Sequence, residues 1–366
     1  MTVGFYAPLP PARSGVADYA AALLGALRRL GPVKVNSSRA DVCLYHLGNN
    51  PLHGEIYRES LNRPGVAVLH DAVLHHFFLG CLDRDAYVEE FVHNYGEWSR
   101  GLALELWAGR MRSAQDPRYF QYAMLRRAAE RARVVIVHNP AAAKIVAAHA
   151  PAARVIEIPH LSCPPELPPL SEVIRFRQAS GLGPHTFLFG VFGHLRESKR
   201  VVALLRAFQA LRRRRLDVAL LVAGESVSPD LERTVAPLLA QPGILRIGYT
   251  PEREFWRLAS AVDACVNLRY PAAGETSGVT IRLMGIGKPV LMSAGEETAR
   301  FPETACLRVD HGLAEADMLT EYMMWLAGDR EAAAEIGRRG ASCIREHHSL
   351  ESVARRYWEV LCAYSN

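Results

Sequence analysis

GETSGVTIRLMGIGKPVLMS, residues 274–293, reads as a loop, a short helix, a glycine stop and a strand. Thr276 or Ser277 caps the helix through a side-chain oxygen, which leaves the next amides unpaired and pointing outward. A helix start of that kind binds anions. At the far end Gly287 suits a left-handed stop, Pro289 cannot continue a helix, and Val290-Leu291-Met292 resumes as a buried strand. The stretch also poses a question. Glu275 stands just ahead of an anion-attracting helix start, and Arg282 lies inside the helix.

The same alternation extends outward in both directions. In the first half "TVGFYA", "VCLYHL", "GVAVLH" and "VVIVHN" are short β-branched or aromatic runs, with helical patterns such as "VADYAAALLGALRRL" among them. In the second half "FLFGVFG", "DVALLVAG", "ILRIGY", "ACVNLRY" and "KPVLMS" repeat the scheme, separated by helices that include "KRVVALLRAFQALRRRR" and "REFWRLASAV". Strands alternating with helices predict βαβ units, here in two separate parallel sheets. Proline-rich "IPHLSCPPELPPLSE", residues 158–172, reads as an extended linker between the halves. The stretch between "LHDAVLHHFFLG" and "VVIVHN" is helical in pattern, carries Trp98 and Trp107, and is too long for a simple crossover. It is expected to elaborate one face of the first domain. "SLESVARRYWEVLCAYSN" is an amphipathic helix with Val353, Tyr357, Val360 and Leu361 on one side, which needs an apolar surface to dock on.

Composition narrows the class. A chain of 366 residues, about half of them apolar, exceeds what one core usually serves, so two domains are expected. No apolar run approaches the roughly 18 residues of a membrane span, and "MTVGFYAPLPPARSG" lacks the basic start and apolar middle of a signal peptide, so a cytoplasmic location is expected. The seven cysteines are scattered and never in a CxxC pair, which indicates neither a disulfide framework nor a zinc site. A formal charge of +5 favours anionic small molecules or membrane surfaces. Nucleic acid is not an expected partner, because the run Arg212 to Arg215 stands where a helix C-terminus welcomes cations.

Ligands of open parallel sheets bind beyond the carboxyl ends of the strands, so polar clusters there carry the candidate chemistry. After "VGFYA" come Pro8 to Gly15, where Ser14 and Gly15 open a helix and present amides to an anion, although a turn with an N-cap accounts for the same residues. After "GVAVL" come His70 and Asp71; a histidine closing a buried strand is either structural or a perturbed functional group. "VFGHLRESKR" brings His194, Arg196, Lys199 and Arg200 to one loop and helix start, where cations oppose the helix dipole. An unfavourable placement points to a bound anion, and a lysine there suits phosphate oxygens. The chain has no GxGxxG, no GxxxxGK[ST] and no GxSxG, which disfavours a nicotinamide oxidoreductase, a P-loop phosphoryl transferase and an α/β-hydrolase. "DRD" at Asp83 to Asp85 spells a metal-binding triplet, but it sits in the helical elaboration and no metal is expected.

Taken in order, "PLPPARSGVADY", "FGHLRESKR", "GYT" at Gly248 to Thr250, "GETSG" followed by "GKPVLMS", and the final helix resemble the family 4 retaining glycosyltransferases of GT-B fold over essentially the whole chain. The resemblance implies an α/β protein of two Rossmann-like domains facing each other across a cleft. The first, residues 1–165, would take the acceptor and be completed by the returning helix 349–366. The second, residues 166–348, would hold a nucleotide-diphosphate sugar. Glu275 is then similar to the first glutamate of the family's two-glutamate motif, bonding donor-sugar hydroxyls, with Thr276, Ser277, Gly278 and Val279 facing sugar and phosphate. Lys199 matches the lysine that binds the diphosphate. His194 stands where the family has an arginine, which leaves Arg196 or Arg200 as substitutes, and Gly15 lies near diphosphate and acceptor. His70 resembles the histidine close to the reacting sugar, and Tyr249 and Thr250 the segment lining the base.

One departure stands out. Where the family has its second glutamate, gripping ribose hydroxyls, this chain has Arg282, one residue closer to Glu275. Arginine cannot accept a hydrogen bond, so Arg282 either reaches the diphosphate or another acid, or belongs to an altered donor geometry.

The leading expectation is a metal-independent hexosyltransferase without cofactor. It would act with retention on a glycan or lipid-linked acceptor held near Gly15, His46 and Asn49, with Lys199 and the helix amides stabilising the departing diphosphate. Two alternatives stay open: a nucleotide-sugar epimerase of similar fold, and a non-catalytic nucleotide-sugar or glycan-binding protein. The first helix, with Arg28 and Arg29, either touches an anionic membrane surface or is simply half-buried. Sugar, base and oligomeric state are not legible.

Overall fold

The computed structural model of the chain describes residues 1–214 and 216–365. Of the basic run, Arg215 lies outside the described residues. The chain divides into two compact units, one of Met1–Leu161, Pro271–Thr276 and His347–Asn366, the other of Ser162–Tyr270 and Ser277–Glu346. The expected division at 165 and 349 thus falls a few residues earlier. Pro271–Thr276, expected in the second domain, goes with the first because the Ala72 and Val73 amides both bond the Ala273 carbonyl, at 2.8 and 3.1 Å.

The first unit is built on a six-stranded sheet of β1 (Val3–Tyr6), β2 (Val33–Val35), β3 (Val42–Leu47), β4 (Val66–Leu69), β5 (Val134–Val137) and β6 (Val155–Glu157), in the order β2-β1-β3-β4-β5-β6. All pairs are parallel. Strands covered on both faces read as continuous apolar runs, and successive side chains still part to opposite sides. Tyr45, Leu47, Ala67, Leu69, Val135 and Val137 face one core. Leu44, Val66, Val68, Val134 and Ile136 face the other.

Helices α1 (Gly15–Leu30), α2 (Gly54–Asn62), α3 (His75–Cys81), α4 (Arg84–Tyr95), α5 (Arg100–Gly109), α6 (Arg118–Gln121), α7 (Arg126–Arg131) and α8 (Pro140–His149) complete the unit with the C-terminal helix Leu350–Ala363. The run from α3 to α7 is the expected elaboration, and its Phe77, Phe78, Tyr87, Phe91, Leu106 and Tyr119 extend the first core. The C-terminal helix lies on α1, burying Val353, Ala354, Tyr357, Val360 and Leu361 against Tyr19, Leu23 and Leu27. Burying one such large apolar side chain is worth about 1.5–3 kcal/mol, so this face is firmly committed. The apolar side of α1 is therefore covered, and Arg29 lies 3.7 Å from Glu351. α1 is thus half-buried. Among the described residues no helix is long and apolar enough to cross a membrane.

The second unit carries β7 (Phe187–Phe192), β8 (Val218–Ala223), β9 (Ile244–Ile247), β10 (Ala264–Asn267), β11 (Val290–Ser293) and β12 (Leu307–Val309), in the order β12-β11-β10-β7-β8-β9 and again parallel. Its helices are α9 (Leu170–Ala179), α10 (Val201–Arg213), α11 (Pro229–Leu239), α12 (Glu252–Ala261), α13 (Gly278–Gly285), α14 (Glu315–Gly328) and α15 (Arg330–His347). The strand order reverses between β7 and β10, and in the first unit between β1 and β3. Ligands of open α/β sheets bind beyond the strand ends at such reversals.

Candidate functional site

At the reversal of the second unit, the loop after β7 is shaped by close backbone approach. Gly193 has φ +77°, and a Cβ on Gly224 would stand 2.3 Å from the Gly193 carbonyl oxygen. The loop stays paired to the chain leaving β8 through Leu195 N to Glu225 O at 2.8 Å and Val227 N to Leu195 O at 3.0 Å. It is tied across the reversal by Tyr270 N donating to Ser198 O at 2.7 Å.

The four basic residues of this loop are treated differently. Lys199 is 7 % exposed and donates from Nζ to the Phe192 carbonyl at 2.7 Å, at the very end of β7. Arg200 takes the left-handed conformation (φ 55°) and its guanidinium embraces the buried Glu315 carboxylate, with Nε at 3.0 and 2.9 Å from the two oxygens. That pair commits Arg200 to holding α10 to α14, since removing Arg200 would strand the buried Glu315 charge. Arg196 and His194 are exposed. Partial burial and the charges of Arg196 and Lys199 hold the His194 imidazole below its usual range. Arg196 and His194 are thus the outward-facing members and Lys199 the recessed one.

The stretch 277–285 folds as its sequence indicates. Ser277 caps α13, and Asn267, closing β10, donates to both Ser277 Oγ and Thr280 Oγ1 at 2.7 Å. The first amides of α13, including Gly278 and Val279, have no intrahelical acceptor. Arg282 turns to α12 and not to those amides. Its Nη1 lies 3.0 Å from Glu252 Oε2, and its guanidinium sits over the Phe255 and Trp256 rings at 5.1 and 5.6 Å. Of the partners expected for Arg282, another acid is present here, in Glu252. Tyr249 is exposed and Thr250 half-buried just ahead of α12.

In the first unit Glu275 and Thr276 lie beside the loop after β4. Glu275 Oε2 accepts from the Ala273 amide at 2.6 Å. Asn139, 2 % exposed, donates from Nδ2 to the Gly274 carbonyl at 3.0 Å and to Thr276 Oγ1 at 2.9 Å, while its Oδ1 caps α8 by accepting from Ala142 N at 2.8 Å. Gly274, at φ +71°, comes so close to Ala72 that a Cβ there would meet the Ala72 methyl at 2.7 Å. The Glu275 loop and the His70 loop are therefore one packed structure.

His70 belongs to a buried group of rings. His46 Nδ1 and His70 Nε2 share a hydrogen bond of 2.9 Å, and Tyr19 packs edge-on to His70 at 4.9 Å and contacts His138 and His160 at 5.3 and 4.7 Å. Burial lowers His46 and His70 well below the usual imidazole range, with neighbouring histidines adding to the effect, and pushes His53 and His138 down to about 4. His53 and His138 donate from Nδ1 to the His46 and Ile158 carbonyls, at 2.8 and 2.9 Å, so each is a neutral ring with a bare Nε2. His46 corrects its expected place as an acceptor contact. It is 0 % exposed, in a strand buried throughout, and its ring meets His70 through that hydrogen bond.

Asn49 is likewise engaged. Its amide donates to Asp71 Oδ2 at 2.8 Å and its Oδ1 accepts from Phe77 N at 2.8 Å, fixing the loop after β3. Gly15 opens α1 behind the Ser14 cap, with empty space where a Cβ would stand. Asp83 caps α4, and Asp85 pairs with Arg84. Among the described residues no three His, Cys, Asp or Glu side chains lie together as metal ligands. Sequence reasoning missed Asn139, Asn267 and Glu252. Asn139 alone carried a signal, standing directly before Pro140 at a helix start.

Residues 186–329 match the family model described as Glycosyl transferases group 1. Comparison of the sequence with curated proteins finds none that matches. Among solved structures the chain is similar to Alr3699/HepE from Anabaena in complex with UDP and glucose, at a TM-score of 0.70 and 14% identity over 99% of this chain and 100% of that one. It is also similar to sucrose-phosphate synthase (tll1590) from Thermosynechococcus elongatus, at 0.69 and 16% over 99% and 98%. WaaG, a glycosyltransferase involved in lipopolysaccharide biosynthesis, gives 0.66 and 14% over 98% and 99%. These likenesses show the fold: the two units are the Rossmann-like domains of the GT-B architecture. With the group 1 match over the second unit's sheet, the chain is a glycosyltransferase of that architecture.

Proposed function

We propose that this chain moves a hexose from a nucleotide-diphosphate sugar, with uridine as the nucleoside, to a glycan or lipid-linked acceptor, with retention of configuration. The observation that carries the reading is the reversal of the second unit's sheet. There a basic loop with exposed His194 and Arg196 and recessed Lys199 lies within the group 1 domain, on the strand ends from which α13 also starts. Cations and unpaired amides at one sheet edge suit a diphosphate, and they suit it better as negative charge grows on the departing oxygen. In this reading protein groups meet that charge without a divalent ion or other cofactor. UDP and glucose bound to the Anabaena protein, which shares the fold, support the choice of nucleoside and sugar class. The acceptor class follows the lipopolysaccharide role of WaaG.

In the first unit His70 and Glu275 are the groups for the sugar. The Asp71 and Glu275 carboxylates both receive backbone amides, at 2.8 and 2.6 Å, which suits orienting better than attacking. Retention would then proceed by front-side exchange: the acceptor oxygen bonds the anomeric carbon on the face the diphosphate leaves, and the leaving oxygen takes the acceptor proton.

The test is calorimetric titration of the protein with UDP, ADP and GDP and with their glucose conjugates, followed by nuclear magnetic resonance of the anomeric linkage formed. Binding of one diphosphate family and an α-linked product from an α-linked donor are expected. A β-linked product would overturn retention. Failure to bind any nucleotide diphosphate would overturn the donor assignment, and conversion of donor with no acceptor would replace transfer by epimerisation.

A further inference from the structure

The reading of a nucleotide donor leaves its ribose without an assigned partner, and the position where an acid was expected holds Arg282. Glu252, the first residue of α12, has properties of a binding group that its neighbours have built. Its Oε1 accepts from the Trp256 indole N–H at 2.8 Å, and its Oε2 accepts from Arg282 Nη1 at 3.0 Å. Trp256 is buried, and the Arg282 guanidinium is itself seated on the Phe255 and Trp256 rings, so both donors are fixed. The carboxylate side chain nevertheless keeps 51% of its exposure. An ionised carboxylate offers about four lone-pair sites. Two are used from beneath, and the outward ones remain for a ligand.

Placement adds to this. α12 follows β9, so Glu252 stands on the same strand-end edge of the sheet as the loop after β7, three residues after exposed Tyr249. Arg282 is about one and a half turns from the Ser277 cap, about 7.5 Å along the axis. A group beside Arg282 is thus about one linkage away from an anion at the start of α13. Two carboxylate oxygens held in a fixed plane match two neighbouring hydroxyls, and an acid bonding ribose hydroxyls is a recurring feature of nucleotide-binding α/β sheets. Arg282 serves this arrangement by orienting Glu252 and offsetting its charge near a diphosphate.

We infer that Glu252, clamped by Trp256 and Arg282, is the residue that accepts the ribose hydroxyls of the donor nucleotide, with Arg282 as its positioning residue. The inference rests on the nucleotide-sugar reading above. Its test is calorimetry of UDP and 2′-deoxy-UDP against the wild type, Glu252→Ala, Glu252→Gln and Arg282→Ala. The wild type is expected to prefer UDP by about tenfold, a typical loss for one hydrogen bond to a charged group. Glu252→Ala should bind both nucleotides alike, and both more weakly than the wild type binds them, because the contact to the 3′-hydroxyl that 2′-deoxy-UDP retains is lost as well. Glu252→Gln, which keeps the shape, should retain a reduced preference, and Arg282→Ala should lose part of it. Undiminished preference for UDP in both folded Glu252 variants would overturn this assignment while leaving the donor reading intact. Absence of UDP binding in the wild type would overturn both.

Discussion

Asn139 donates to Thr276 Oγ1 at 2.9 Å across 137 positions of sequence, and the same side chain caps α8. The residue that starts a helix in the first unit therefore also fixes the loop that presents Glu275. These two jobs can be separated by mutation. Asn139→Ser keeps a competent cap but is too short to reach Thr276, whereas Asn139→Ala loses both. Loss of the cap alone should cost about 1 kcal/mol, so urea unfolding should place Asn139→Ser between wild type and Asn139→Ala. Both variants should lose kcat/KM with sugar donor by about tenfold or more, since a loosened loop misplaces Glu275. Wild-type activity in Asn139→Ser would show that the Thr276 bond does not position the loop.

Lys199 is recessed behind Gly193, where a Cβ would stand 3.2 Å from its Nζ, and it is held by the Phe192 carbonyl at 2.7 Å. A charge so placed needs little reorganisation to act on a developing oxyanion. Lys199→Met preserves most of the stem and removes the charge. It should leave the melting temperature near or above that of wild type, because no buried cation remains to be desolvated. Turnover should fall by about 10²–10³-fold, as for removal of one preorganised donor. Initial rates at saturating donor check it, and a variant with normal kcat would remove Lys199 from the reaction.

The sheets were legible from sequence because both-face burial turns each central strand into an unbroken apolar run, as in "VCLYHL" and "FLFGVF". β2, β6 and β12 were not. Each is a three-residue edge strand, and β2 and β6 are largely unburied, so they carry too few apolar residues for a pattern to form. The start and stop of α13 were readable from Ser277 and Gly287, whose roles are local. Glu252, Asn267 and Asn139 were silent about their partners, because those partners lie 30, 13 and 137 residues away. His46 was misplaced for a related reason. A strand buried throughout gives no alternation from which to tell a ring facing a ligand from one packed behind it.

Tyr19 and Tyr357 bond hydroxyl to hydroxyl at 2.9 Å where α1 meets the C-terminal helix, and both are buried. Each satisfies the other, so removing one hydroxyl leaves its partner buried and unpaired. Tyr357→Phe should therefore cost about 1–3 kcal/mol, and Tyr19→Phe a similar amount. The double variant should recover most of either loss, because two apolar rings of the same shape have no orphaned group. Urea denaturation of the four proteins closes the cycle, and strictly additive losses would mean that the two hydroxyls are not coupled.

The buried imidazoles make stability depend on pH with a definite sign. His53 and His138 titrate at about 4 when folded, against 6.5 as free side chains, because burial penalises the charged ring. Above pH 6.5 the rings are neutral in both states and no penalty arises. Below 6.5 the unfolded rings take up protons that the folded ones refuse, so the unfolded state gains, and the loss accumulates down to about pH 4. Protonating the folded rings would put an N–H on Nε2 atoms that are buried and have no acceptor. Each ring contributes a slope of about 1.4 kcal/mol per pH unit, or about 3 kcal/mol over the window. His46 and His70, lowered by the same cause, add to it. Exposed carboxylates held low by arginine, such as Glu97 and Glu335, act only below their ordinary value of 4.5, outside most of this range. Urea unfolding between pH 7.5 and about 5 should show a fall steeper than one proton alone can give. His138→Asn, which can keep a side-chain donor near the Ile158 carbonyl, should reduce the slope by about one proton. A flat profile across that range would mean the rings carry their protons inside the fold.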